Sequence, residues 1–534
     1  NKALSFAARG VYKIIYVAPE RLETASFLSF ALHTPISMVT VDEAHCISQW
    51  GQDFRPSYLK IIDFVEQLPG NPIISAFTAT ATEVVKNDIA RILKLKNPNV
   101  VVTGFDRENL YYQVEHLTGK QKDIFIQNYI ETHPNESGII YCATRKNVDT
   151  LYEKLLKQGV SVTRYHAGMS NDIRKKSQDD FIYDRAQVVI ATNAFGMGID
   201  KSNVRFVIHY NMPQSMENYY QEAGRAGRDG EPAKCILLFS TQDVMISKLL
   251  LGSKDFEGMD FQEIEQVKHQ DSRRLQLMEG YCMTTSCLRN YILEYFGETT
   301  HQPCDNCGNC HQEFEELDMT LDAKWVVGCI TEMRGRYGQA LVIGTLLGSK
   351  KARLKDIGAT SYNCYGQLEN RTEADLRLLI SQMIRMGYIT QTEGEYSVLK
   401  AGNIADLQNK NTKIIIKKFK EKEKISTTKK HKTPFKKDSF SASTESSSTD
   451  STATNSSHNS ALFEALRQLR LQIAKEESVP PYIVFTDRTL IDMCSKLPQN
   501  EDEMLNVSGV GQNKLKKYGQ RFLQEISAFQ SANH

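Results

Sequence analysis

Short apolar runs rich in β-branched residues recur through residue 240, and the stretches between them return apolar positions every three or four residues, as amphipathic helices do. The runs are Lys13 to Val17, Ile36 to Val41, Pro72 to Phe77, Val100 to Val102, Gly138 to Cys142, Gln187 to Ala191, Phe206 to His209 and Ala233 to Phe239. Nearly continuous rather than alternating apolarity predicts strands buried on both faces, and helices between them predict parallel sheets of an α/β fold. A break over 103–117 divides the region into two lobes, 1–103 and 104–243. The first strand comes so soon after Asn1 that the first lobe is expected to be incomplete and the chain a fragment.

Beyond the lobes the pattern changes. Residues 244–313 read as a helical segment with a cysteine cluster. Residues 314–405 read as three helices and a hairpin: Lys324 to Gly335, Leu368 to Arg371 leading to Asp375 to Met386, then Tyr388 to Thr392 and Glu395 to Leu399 about Gly394. That order predicts a winged helix, which meets duplex backbone or separates strands; a protein-interaction winged domain is the alternative. Residues 406–459 are rich in Lys, then Ser and Thr, and are expected to be a disordered linker. Residues 460–534 are helical again, with a helix capped at Thr486 or Asp487.

At 534 residues the chain exceeds a single core, which rarely grows past about 300 residues. The net charge of +1 excludes a global basic field, yet Lys410 to Lys437 holds twelve lysines against two glutamates. No run approaches the roughly 20 apolar residues of a membrane span, and no signal peptide precedes the first strand, so a soluble intracellular protein with no membrane partner is expected.

Asp42-Glu43-Ala44-His45 follows an apolar strand. Two carboxylates there suit holding Mg²⁺ and polarising a water for attack on a nucleotide phosphate, unless they are only a solvated strand end. Arg225 and Arg228, with Gly224 and Gly227 beside them, have the composition needed where guanidinium groups approach phosphate; the alternative is a surface salt bridge. Trp50 and Phe54 offer stacking faces for bases and Arg55 a phosphate contact, unless Trp50 merely anchors its loop. Cys304-x-x-Cys307-x-x-Cys310 with Cys287 makes a four-thiolate set for Zn²⁺; Cys282 competes as first ligand, and an iron-sulfur cluster also takes four cysteines. Gly509 and Gly511 precede a helix start where exposed amides, Lys514 and Lys517 could bind phosphate, or else they form a tight turn.

Tyr16 to Leu22, Asp42 to Pro56, Phe77 to Ala81, Ala191 to Asp200 and Gln221 to Gly230 occur in an order that resembles RecQ-family DNA helicases, the Trp50-Gly51-x-Asp53-Phe54-Arg55 loop being the most discriminating. The resemblance implies two RecA-like lobes, a zinc-binding subdomain, a winged helix and an all-α HRDC domain at 460–534. It implies an ATP-dependent 3′-to-5′ helicase acting in DNA repair and recombination, with ATP, Mg²⁺ and Zn²⁺, on single-stranded and forked duplex DNA. Asp42 would hold the metal through water and Glu43 would orient or deprotonate the attacking water. His45 would link the site to Thr78 and Thr80, Arg228 would be the arginine finger with Arg225 and Gln221 beside it, and Asp200 would meet the ribose or the other lobe. Trp50, Phe54 and Arg55 would couple DNA to hydrolysis, and Cys287, rather than Cys282, would be the first zinc ligand. Thr192 would contact DNA, or with Asn193 only cap the following helix. Protein partners, such as a single-strand-binding protein, are compatible with the resemblance but not specified by it. Location would be cytoplasmic or at the nucleoid in a bacterium and nuclear in a eukaryote. One departure stands out: the glutamine motif and the Gly-x-x-x-x-Gly-Lys-Ser/Thr loop of the family lie nowhere in these residues. The isolated chain is therefore expected to be nearly inactive, and a non-enzymatic DNA-binding module is the alternative.

Overall fold

The computed structural model describes residues 2–48, 54–134, 136–193, 195, 201–253, 261–300, 302–392, 398–404, 413–419 and 455–532. Lobe one contains a two-stranded parallel sheet, β1 (Met38–Val41) against β2 (Ile73–Ala76), with Val41 beside Ala76. Helices Ala25–Leu32, Pro56–Gln67 and Glu83–Ile92 pack on it through Phe27, Phe30, Phe64, Val65 and Val85. Two expected strands do not form. Lys13 to Val17 and Val100 to Val102 join no ladder, and Ile14, Tyr16 and Val101 are exposed. Apolarity favours a strand but cannot supply the hydrogen-bonding neighbour that makes one.

Lobe two is an all-parallel sheet, as the apolar runs predict for four of its strands; the expected break over 103–117 is corrected, because residues 110–115 alternate buried and half-buried and pair with the last strand of the sheet in chain order. It comprises β3 (Leu110–His116), β4 (Ser137–Tyr141), β5 (Val162–Tyr165), β6 (Val188–Ala191), β7 (Val204–His209) and β8 (Ala233–Phe239), in spatial order 3-8-7-4-6-5. Successive side chains enter opposite cores: Ile139 and Tyr141 face one, Ile140 the other. The first core runs without interruption into Met278, Tyr281, Leu288 and Ile292. The cysteine-bearing segment is thus packed as a continuation of lobe two.

The winged-helix region holds helices Thr320–Glu332, Gln339–Leu346 and Glu373–Arg385, the last opened by a Thr372/Asp375 capping box. Its hairpin pairs β10 (Ile389–Gln391) with β11 (Leu399–Ala401). A second antiparallel pair joins β9 (Phe314–Asp318) to β12 (Ile415–Phe419), so residues 415–419, read from sequence as linker, form a strand. The signal was alternation hidden in a lysine-rich run: Ile414 and Ile416 are buried and Ile415 is exposed. The tail is a helical unit around Leu466, Phe485, Leu490 and Phe522. Thr486 caps Asp487–Lys496, accepting from the Thr489 amide. No helix among the described residues is long and apolar enough to cross a membrane.

Candidate active site

β1 ends at Val41, and the bond from the Phe77 amide to its carbonyl (2.8 Å), with that from the Ala44 amide to the Phe77 carbonyl (2.9 Å), fixes the turn that follows. Asp42 is exposed and accepts from the Glu43 amide at 2.9 Å. Glu43 takes the left-handed conformation (φ 48°, ψ 44°), unusual for a residue with a side chain and found where function over-determines the backbone. Its Oε2 lies 3.4 Å from Nδ1 of buried His45, whose Nδ1 is 3.0 Å from the Thr78 hydroxyl. That hydroxyl accepts from the Thr80 amide at 3.3 Å, and the Thr80 hydroxyl accepts from Gln221 Nε2 at 3.1 Å. Polar contacts thus run from the acidic turn of lobe one into lobe two. Beneath the turn, burial pushes the Tyr58 phenol up to about 12, so it remains a neutral donor to the Asp42 carbonyl at 3.4 Å.

Gln221 lies on helix Met216–Ala223, capped by Ser215 and locked by Glu222, which pairs with His209 at 2.9 Å. The turn after this helix carries Arg225 and exposed Arg228. Glu43, His45, Arg55, Gln221, Arg225 and Arg228 all line one interlobe cleft of about 1330 Å³. Phe54 is half-buried. Trp50 and Asp200 lie outside the described residues. Thr192 follows β6 and its amide donates to the Tyr165 carbonyl at 3.2 Å; Asn193, not Thr192, lines the cleft. The sequence reading treated 103–117 as a break and so missed Arg107, which lines the same cleft. Its compact charged string, Asp106-Arg107-Glu108, was the available signal.

Cys287, Cys304, Cys307 and Cys310 bring their sulfurs within 4.8 Å of one another, with Cys304 to Cys310 at 3.9 Å and Cys307 to Cys287 at 4.0 Å. Zinc-sulfur bonds of about 2.3 Å in a tetrahedron require sulfurs about 3.8 Å apart, so the set fits one Zn²⁺ with no position left open. Amides of Leu288, Asn290 and Asn306 donate to Cys307, Cys287 and Cys304, as thiolates require. Cys282 is buried away from the cluster in the core shared with lobe two. At the tail, Lys517 is bound to Glu477 at 2.5 Å and Lys514 lies over the Phe485 ring, so both proposed phosphate ligands have partners within the domain. Gly509 (φ +83°) packs against Thr489, as the tight-turn reading requires.

Five family signatures match in order: DEAD/DEAH box helicase over 1–87, helicase conserved C-terminal domain over 121–230, RecQ zinc-binding over 241–311, RQC domain over 313–425 and HRDC domain over 459–526. The ATP-dependent DNA helicase RecQ of Bacillus subtilis is 41% identical over 520 residues, spanning 97% of this chain and 81% of that protein. The chain belongs to the RecQ family of helicases. The RecQ of Haemophilus influenzae is 35% identical over 98% of this chain and 79% of its own length. The RecQ-like DNA helicase BLM of Xenopus laevis is 30% identical over 97% of this chain but only 39% of its own. Zinc therefore has both a RecQ-type subdomain and a four-cysteine cluster behind it.

Proposed function

We propose that the chain forms the motor of an ATP-driven 3′-to-5′ DNA helicase in which the interlobe cleft hydrolyses ATP. One observation carries the reading: the contacts Glu43, His45, Thr78, Thr80 and Gln221 cross the cleft and end a helical turn before Arg225. Glu43 orients the attacking water and takes its proton, with His45 holding the carboxylate in place. Glu43 lines the cleft and Asp42 precedes it in the same turn; their carboxylates are hard oxygen donors that fit Mg²⁺, which when bound would offset phosphate charge. Arg225 and Arg228 approach the transferring phosphoryl group from lobe two, so closure of the lobes completes the site. A shift at Thr78 or Thr80 reaches both the water and Gln221, which gives DNA bound across the lobes a short route to the chemistry.

Single-stranded DNA would run over the carboxyl ends of the strands, with Trp50 and Phe54 stacking on bases and Arg55 and Thr192 near the backbone. The winged helix would meet the duplex of a fork, and Lys514 and Lys517 would contribute to phosphate contact on release from their present partners. The compartment would follow the DNA, the nucleoid in a bacterium and the nucleus in a eukaryote. The test is Glu43→Gln in the full-length protein. ATP binding persists and turnover falls by about a thousandfold; turnover within threefold of the parent would overturn the role of Glu43.

A further inference from the structure

The segment between the lobes passes beside the arginine turn and holds its backbone. The Arg107 guanidinium donates to the carbonyls of Gly224 (3.4 Å), Ala226 (3.3 Å) and Gly227 (3.1 Å). Asn109 Nδ2 donates to the carbonyls of Gly227 and Glu231, both at 2.8 Å. These carbonyls lie in a turn outside regular structure, where a buried acceptor must find its donor elsewhere. Gly227 is left-handed (φ +56°), and a Cβ there would run into the Asn109 amide and stand 2.7 Å from the Glu231 carbonyl. Side chain and glycine therefore fit only as a pair.

The other side of the segment is fastened to the zinc subdomain. Buried Arg289, two positions after Cys287, donates to Asp106 Oδ1 (2.5 Å) and to the carbonyls of Arg107 (2.7 Å), Glu108 (3.2 Å) and Leu110 (2.6 Å). Phe105 stacks on Phe296 with ring centroids 4.4 Å apart, and its amide donates to Glu298 at 2.5 Å. The segment thus bridges the cysteine-bearing subdomain and the arginine turn.

We infer that Arg107 and Asn109 are positioning residues for Arg225 and Arg228, held in turn by Arg289, so that the arginines reach phosphate from a backbone set by the interlobe segment. The inference rests on the proposed role of those arginines. A misplacement of about 1 Å at such a group costs about a hundredfold in rate.

The test uses the full-length protein with Arg107→Ala, Arg107→Lys and Asn109→Ala, each checked for zinc content. Amide exchange over 224–230 is expected to quicken at least about tenfold in both alanine variants, with the sheet of lobe two unchanged. In Arg107→Ala, kcat falls about thirty- to a hundredfold with KM for ATP within about twofold, and Arg107→Lys recovers part of the loss. In the double variant Arg107→Ala/Arg228→Ala the two losses fall well short of multiplying, because part of the loss in Arg107→Ala is exerted through Arg228. Unchanged exchange, or losses that multiply in the double variant, would overturn the inference. If Arg228→Ala turns over normally, the arginine assignment fails instead, and exchange alone then decides whether the clamp exists. Should Arg107→Ala lose its zinc or fail to fold, Asn109→Ala decides by the same two readouts.

Discussion

Thr80 is a residue through which the lobes touch chemically, since its hydroxyl accepts from Gln221 while its amide reaches Thr78. Thr80→Val keeps the shape and removes the hydroxyl, leaving the Gln221 amide without that acceptor. In the full-length protein, DNA-stimulated hydrolysis should fall about tenfold or more while DNA-free hydrolysis changes less, as a lost hydrogen bond of about 1.5 kcal/mol predicts. Equal losses in both rates would make Thr80 a packing residue. Trp50→Ala separates coupling from anchoring in a similar way: salt-dependent DNA binding persists and stimulation collapses, whereas a parallel fall of both would reduce the loop to an anchor. None of this cross-lobe geometry was legible locally. Thr80 and Gln221 are far apart in sequence, and the resemblance put both at the nucleotide site without pairing them; Arg107 escaped because a charged string in a connector looks like any solvated turn.

The four-cysteine element stands on the same core as lobe two, through Met278, Tyr281, Leu288 and Ile292. Cys304→Ser should therefore abolish the single bound Zn²⁺ and also lower the melting temperature of lobe two. Metal analysis and calorimetry check it; a zinc-free variant with lobe two unaffected would show that the shared core does not need the metal. In the tail, fully buried Arg470 donates to Asp487 at 2.7 Å and to the Phe485 carbonyl at 3.0 Å. Burial pushes the Asp487 carboxyl up, but Arg470, with Arg205 and Asn203 of lobe two, outweighs it and holds the group below the ordinary carboxylate range. A depressed folded value means stability present above about pH 4 and lost as pH falls through that lower value. Asp487→Asn should cost about 3 kcal/mol at pH 7 by stranding the guanidinium, and should flatten that acid limb in urea titrations at stepped pH. Elements were legible where apolar runs matched a ladder, as in β4, β6, β7 and β8 of lobe two; β3, inside the expected break, and β5, whose run carries Thr163 and Arg164, were not read. Legibility failed too where pairing lay elsewhere: β12 looked like basic linker, and Val100 to Val102 like a strand.

At the scale of the molecule, charge is balanced overall and concentrated locally, in the lysines between 410 and 437. If that stretch meets DNA, replacing six of its lysines with Gln should reduce the salt slope of single-strand affinity by up to about four, while leaving hydrolysis at saturating DNA unchanged. An unaltered slope would assign the electrostatics to the lobes and winged helix. Lobe one has another consequence for anyone handling the protein. Its two strands pair, among the described residues, only with each other, while Met38 and Ile73 lie 53% and 65% exposed. Open strand edges beside bare apolar side chains are templates for one chain to add to the next. This polypeptide is then expected to associate through lobe one as its concentration rises, and light scattering that stays flat with concentration below the melting temperature would show those edges to be covered.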